Sequence, residues 1–128
     1  MITNLLMAVT RRTVRPVRER IAGSWYSTNK AHNSTGTSPI TTVPCLVGDV
    51  IIIPWSVSSE SGYDFLTIYI NNVAIIRESG SKTGTINYNI SSAGNYTVKA
   101  TYSKDGSVNS GSDNGGYSYI DRQNNQSM

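Results

Sequence analysis

A chain of 128 residues with 38% hydrophobic content has room for one compact domain plus an extension, and not for two domains. Cys45 is the only cysteine, which excludes an internal disulfide and a cysteine-built metal site. The net charge of +3 is segregated: residues 1–30 carry Arg11, Arg12, Arg15, Arg18, Arg20 and Lys30 against Glu19 alone, whereas the remainder holds five Lys and Arg against seven Asp and Glu.

Ile2, Leu5, Leu6 and Val9 fall at the spacing that places four apolar side chains on one helical face, so a short amphipathic helix is expected. A helix of that length is marginal alone in water and needs a surface to lie on. The arginines follow, with Pro16 holding Arg15 toward extended geometry and interrupting any longer helix. Charge and apolar residues stand in the reverse order of a secretory signal; an Arg-rich, acid-poor, amphipathic segment is nearer to a mitochondrial presequence. We expect a docking arm, with Ile2, Leu5, Leu6 and Val9 supplying the apolar face and Arg11, Arg12, Arg15, Arg18 and Arg20 meeting carboxylates on a protein neighbour. Nucleic-acid phosphate is the alternative partner, weakened because no aromatic residues are interleaved with the arginines to stack on bases.

Trp25 and Tyr26 are placed to anchor this arm, and residues 27–38 have the Ser, Thr, Asn and Gly composition of a linker. His32, the only histidine, reads there as a solvated loop side chain rather than as a zinc ligand or hydrolase base. Residues 1–38 are therefore expected as arm and linker, 39–122 as a β-domain and 123–128 as a polar tail.

From Pro39 the pattern becomes short β-branched and aromatic runs punctuated by turn residues, predicting an antiparallel all-β domain of the sandwich type. Expected strands are Thr41–Leu46, Asp49–Val57, Phe65–Ile70, Val73–Glu78, Thr83–Ile90, Tyr96–Tyr102 and Tyr117–Ile120. Tyr96, Val98, Ala100 and Tyr102 alternate with Thr97, Lys99 and Thr101, which assigns the first set to the core, and Ile86, Tyr88 and Ile90 repeat the pattern. Asn71-Asn72 suits a tight hairpin. The nearly continuous apolar run from Val50 to Trp55 predicts a strand covered on both faces, by a subunit or by the arm, and Pro54 within it favours an edge or a bulge.

Three phrases carry a resemblance: Val57 through Asn71 with Glu60-Ser61-Gly62-Tyr63-Asp64-Phe65-Leu66-Thr67-Ile68 at its centre, Ser92-Ala93-Gly94-Asn95-Tyr96-Thr97-Val98-Lys99, and Tyr102-Ser103-Lys104-Asp105-Gly106-Ser107 leading to Asp113 and Tyr119-Ile120-Asp121. Over residues 47–121 the chain resembles jelly-roll adhesion modules of bacterial and phage surface proteins, and CUB domains in outline, though it lacks the disulfides of many CUB domains. The resemblance implies a jelly-roll or CUB-like β-sandwich carrying an extended, partly helical arm, used to bind proteins or glycans. It also implies a possible calcium ion at Glu60, Asp64 and Asp105, joined by Asp113 or Asp121, because calcium takes six to eight hard oxygens. In the alternative, these acids cap turns while Lys104 or Arg77 offsets their charge. An EF-hand fails, since Gly111 falls one place late and Gly116 stands where the final glutamate belongs. Glu60 and Asp64 make a poor glycosidase pair on so small a module.

Tyr63, Tyr69, Tyr117 and Tyr119 are candidates for a sugar- or protein-contacting surface, or for half-buried strand filler. Together these features predict a non-enzymatic structural protein of a large oligomeric assembly. A bacteriophage virion is the expected setting, in capsid decoration, head–tail connection or tail or fibre attachment, with no membrane partner and no required cofactor. The alternative is a lectin-like glycan-binding module, with or without calcium, at a cell surface or outside the cell.

Overall fold

The computed structural model describes residues 17–106 and 113–124. The expected helix over Ile2–Val9 and the docking positions Arg11, Arg12 and Arg15 lie outside the described residues. Among the described residues eleven strands form in chain order: β1 (Val17–Ala22), β2 (Trp25–Ser27), β3 (Thr35–Thr37), β4 (Thr41–Cys45), β5 (Val50–Ser58), β6 (Phe65–Ile70), β7 (Val73–Glu78), β8 (Ser81–Asn89), β9 (Gly94–Ser103), β10 (Asn114–Tyr117) and β11 (Ile120–Asn124).

Two antiparallel sheets result, each built around one long strand. In the first, β5 pairs along its length with β8 on one side and with β11 and then β10 on the other, while β1 and β2 pair outside β11 and β10. In the second, β9 pairs with β6 on one side and with β3 and β4 on the other, and β7 lies outside β6. Side chains of both sheets meet in one apolar cluster, with Ile51, Ile53 and Val57 from β5 against Leu66, Ile68, Ile70, Val98, Ala100 and Tyr102. Burial of these side chains is the main favourable term holding the sandwich closed.

The alternation read in β9 is realised: Val98, Ala100 and Tyr102 are buried, Tyr96 is half-buried against the core, and Thr97, Lys99 and Thr101 lie between them on the other face. Asn71 and Asn72 adopt φ of 51° and 64°, the left-handed pair that a two-residue hairpin needs between β6 and β7.

Residues 17–22, expected as part of an extended arm, form strand β1. Arg18 and Arg20, expected to dock on a protein neighbour, are registered there against Gln123 and Asp121 of β11. Residues 27–38, expected as linker, likewise supply β3, and the polar tail expected from residue 123 begins inside β11. Pro54 stands in a central strand instead of at an edge. It occupies the seam where β5 changes partner from β11 to β10, and its carbonyl accepts from the Ser118 N–H at 2.9 Å. Pro is tolerated there because the ladder is already interrupted. The outer face of the apolar run is covered from within the chain, since pairing sets Arg20, Asp121, Ile52 and Asn87 in one cross-strand row and Arg18, Gln123, Val50 and Asn89 in the next.

Candidate functional site

Four connections converge at one end of the sandwich. The β5–β6 loop brings Glu60 and Asp64, the segment after β9 brings Lys104 and Asp105, Asp113 opens β10, and the β2–β3 loop is tied in by bonds from the Asn33 N–H to the Asp105 carbonyl at 2.8 Å and from the Lys104 N–H to the Ser34 carbonyl at 2.9 Å. The β7–β8 turn closes over the group, with the Ser59 hydroxyl donating to the Asp64 carbonyl at 2.8 Å and accepting from the Gly80 N–H at 3.1 Å.

The centre is a buried lysine. The Lys104 side chain has no solvent exposure, and its ammonium donates to Asp113 Oδ2 at 2.6 Å and to Asp64 Oδ2 at 3.3 Å. Asp64 Oδ1 accepts the Asp105 N–H at 3.0 Å, and Asp113 Oδ1 accepts the Tyr102 hydroxyl at 2.6 Å. Burial alone would lower the Lys104 ammonium, yet the hydrogen bonds and charges of Asp113 and Asp64 leave it above the ordinary lysine value. Burial would likewise raise the Asp113 carboxyl, but bonds from Lys104 and Tyr102 hold it below the usual range. Tyr102 is pushed up, by burial first and then by its bond to Asp113.

Oxygens of Glu60, Asp64 and Asp105 lie within 4.8 Å of one another; Asp113 is not in that group and belongs to Lys104 and Tyr102 instead. Asp121, on the first sheet, serves Arg18 and Arg20. Glu60 Oε1 is buried without a hydrogen-bond partner, and its carboxyl is raised by burial first, then by Asp105 and Asp64. Three hard carboxylates with one orphaned oxygen are the donor chemistry of a calcium site, but three side chains supply only part of the six to eight oxygens that calcium takes.

Arg77, the other candidate counter-charge, stacks over Phe65 at 3.6 Å. Of the tyrosines, Tyr63 stands exposed on the Glu60 loop, Tyr69 lies under Lys99 Nζ at 4.9 Å, Tyr119 lies beneath the Arg20 guanidinium at 4.1 Å, and Tyr117 is buried beside Trp25. Tyr117 is thus core and not binding surface, and Trp25 packs against the same core. Among the described residues, open grooves of about 300 and 260 Å³ run along Ser56, Ser58, Thr83 and Asn114 and beside Pro44, Leu46 and Arg122, and no carboxylate lines either of them.

No family model matches the chain, and no curated protein matches it. Among solved structures it is similar to dimeric latent PorU from Porphyromonas gingivalis, at 13% identity and a TM-score of 0.47, over 89% of this chain and 13% of that one. It is also similar to the infectious bursal disease virus Gx strain structure, at 15% identity and a TM-score of 0.38, over 87% and 32%. The GH31 alpha-xylosidase from Xanthomonas citri matches at 13% identity and a TM-score of 0.35, over 69% and 11%. The chain therefore spans about a third or less of the length of each of these proteins.

Proposed function

We propose that the chain is a non-enzymatic structural module of a large protein assembly, held there through residues 1–16. The observation that carries this reading is the position of β1, which follows that segment directly in the sequence: among the described strands it pairs with β11 alone and so forms an edge of the first sheet. Edge strands offer unpaired backbone groups to a neighbour. A bacteriophage particle is the setting we favour, in decoration, head–tail connection or tail or fibre attachment, with the jelly-roll-like sandwich facing outward.

The non-enzymatic part of the reading draws support from Asp64 and Asp113, whose carboxylates are committed to Lys104, Tyr102 and the Asp105 backbone N–H. In native mass spectrometry the full chain should form a defined oligomer, and a chain starting at Val17 should be monomeric with an unaltered far-ultraviolet spectrum. A monomeric full chain, or one missing from gradient-purified particles of its source, would overturn the proposal.

A second reading rests on the orphaned Glu60 oxygen beside exposed Tyr63: calcium-assisted glycan binding at this loop end. It requires calcium to raise the melting temperature and glycan-array binding to disappear in chelator. Identical melting with and without chelator removes the calcium part. A nucleic-acid role is weaker, because Arg18 and Arg20 are already bonded to Asp121.

A further inference from the structure

We propose that Lys104 and Asp113 become joined by an isopeptide bond formed within the folded chain. A lysine amine and a carboxyl do not condense in water, where both charges are hydrated and seldom meet. Here both conditions are reversed. The Lys104 side chain is fully buried and that of Asp113 is 1% exposed, with Nζ 2.6 Å from Asp113 Oδ2, so the reactants are desolvated and already in contact. Asp113 also holds φ at 55°, a left-handed conformation that few non-glycine residues adopt, at the position where its carboxyl meets the lysine.

The surrounding groups match the needs of acyl transfer. Movement of one proton along the 2.6 Å contact converts ammonium and carboxylate into amine and acid. Nζ then attacks Cγ of Asp113, and negative charge develops on Oδ1, which already accepts the Tyr102 hydroxyl at 2.6 Å. Asp64 Oδ2, 3.3 Å from Nζ, takes the second amine proton and returns it to the departing Oδ2 hydroxyl. The Nζ–Cγ bond forms, the Cγ–Oδ2 bond breaks, one water leaves and Asp64 is restored. No oxidant or external reactant is consumed. The product replaces a buried ammonium and carboxylate with a neutral amide and closes residues 104–113 into a ring, locking the end of β9 to the start of β10.

Intact mass of the purified full chain, denatured after incubation at neutral pH, decides the matter: the bond removes one water, a deficit of about 18 Da. A succinimide at Asp105-Gly106 has the same deficit, so the position must be found by tryptic digestion. Acylated Lys104 resists trypsin and gives no backbone fragments between 104 and 113, and Lys104→Arg and Asp113→Ala should both restore the full mass. A wild-type mass equal to that of the sequence overturns the proposal, and so does a deficit confined to 105–106 with cleavage after Lys104 intact. Asp64→Asn should slow the appearance of the deficit at an unaltered circular-dichroism spectrum; an undiminished rate would remove Asp64 from the step.

Discussion

Glu60 holds a carboxylate oxygen out of water with no donor to meet it, beside two other acids. Its carboxyl is raised by burial first and then by Asp105 and Asp64. A carboxyl whose folded value is raised binds its proton more readily in the folded state, so its stabilising contribution is complete below the unfolded value near 4.5 and is lost as pH rises through the folded value. Glu60→Gln cannot ionise. In chelator it should therefore melt higher than wild type at pH 7 and equal to it below about pH 4. Equal melting at both would show that the Glu60 charge is relieved in some other way. The neighbouring Tyr102 makes the opposite case, a buried donor that is used: Tyr102→Phe strips Asp113 Oδ1 of its bond and should cost about 1–3 kcal/mol in urea unfolding.

Among the described glycines, Gly116 in β10 is the most tightly enclosed. A Cβ on Gly116 would lie 1.9 Å from the Trp25 carbonyl oxygen and 2.6 Å from Tyr26 Cα, and both are backbone atoms of the paired strand β2 that cannot swing aside. Gly116→Ala should destabilise by about 3 kcal/mol in thermal unfolding, as overpacking does. Gly94→Ala, with nothing within 4 Å, is the control that should change little. In the β6–β7 turn, Asn72 has φ of 64°, so the β-branched Asn72→Val should lose about 1–2 kcal/mol by the same measurement.

These elements differ in how far the sequence revealed them. β6 and β7 were legible to the residue because two β-branched and aromatic runs flank a pair of asparagines that tolerate the turn. β2 and β3 were not, since Trp-Tyr-Ser and Thr-Gly-Thr are too short to show a period and are fixed by pairing with distant β10 and β9. β1 was hidden by its charge: Arg18 and Arg20 look like a solvated arm until Asp121, a hundred residues on, supplies their partner. At the loop end, Glu60, Asp64 and Asp105 were legible as an acidic set. That Lys104 would be the buried centre, and that Asp113 would turn away to it, depends on how deeply the sheets enclose that position, which no local spacing encodes.

For the molecule as a whole, the mechanical role of β1 depends on whether it opens before the rest of the sandwich or together with it. Val17 pairs with Asn124, so both described termini stand side by side at one edge, and a pull on Val17 is borne first by the β1–β11 ladder. Asp121 fastens that ladder, with Arg20 Nε at 2.5 Å and Arg18 Nε at 2.8 Å, while Tyr119 lies under both guanidinium groups. The arginines remain 43% and 57% exposed and Asp121 only 5%, so solvent screens the pairs and each contributes at most about 1 kcal/mol. Truncating Asp121 should therefore act locally, because the apolar cluster around Ile51 and Val98 does not depend on it. In Asp121→Ala, amide exchange over residues 17–22 should accelerate and trypsin should cut sooner after Arg18 and Arg20, while protection of the β5 and β9 core amides stays at the wild-type level. Acceleration spread equally across both sheets would mean that β1 opens only with the whole fold, and that a load on the leading segment is carried by the sandwich itself.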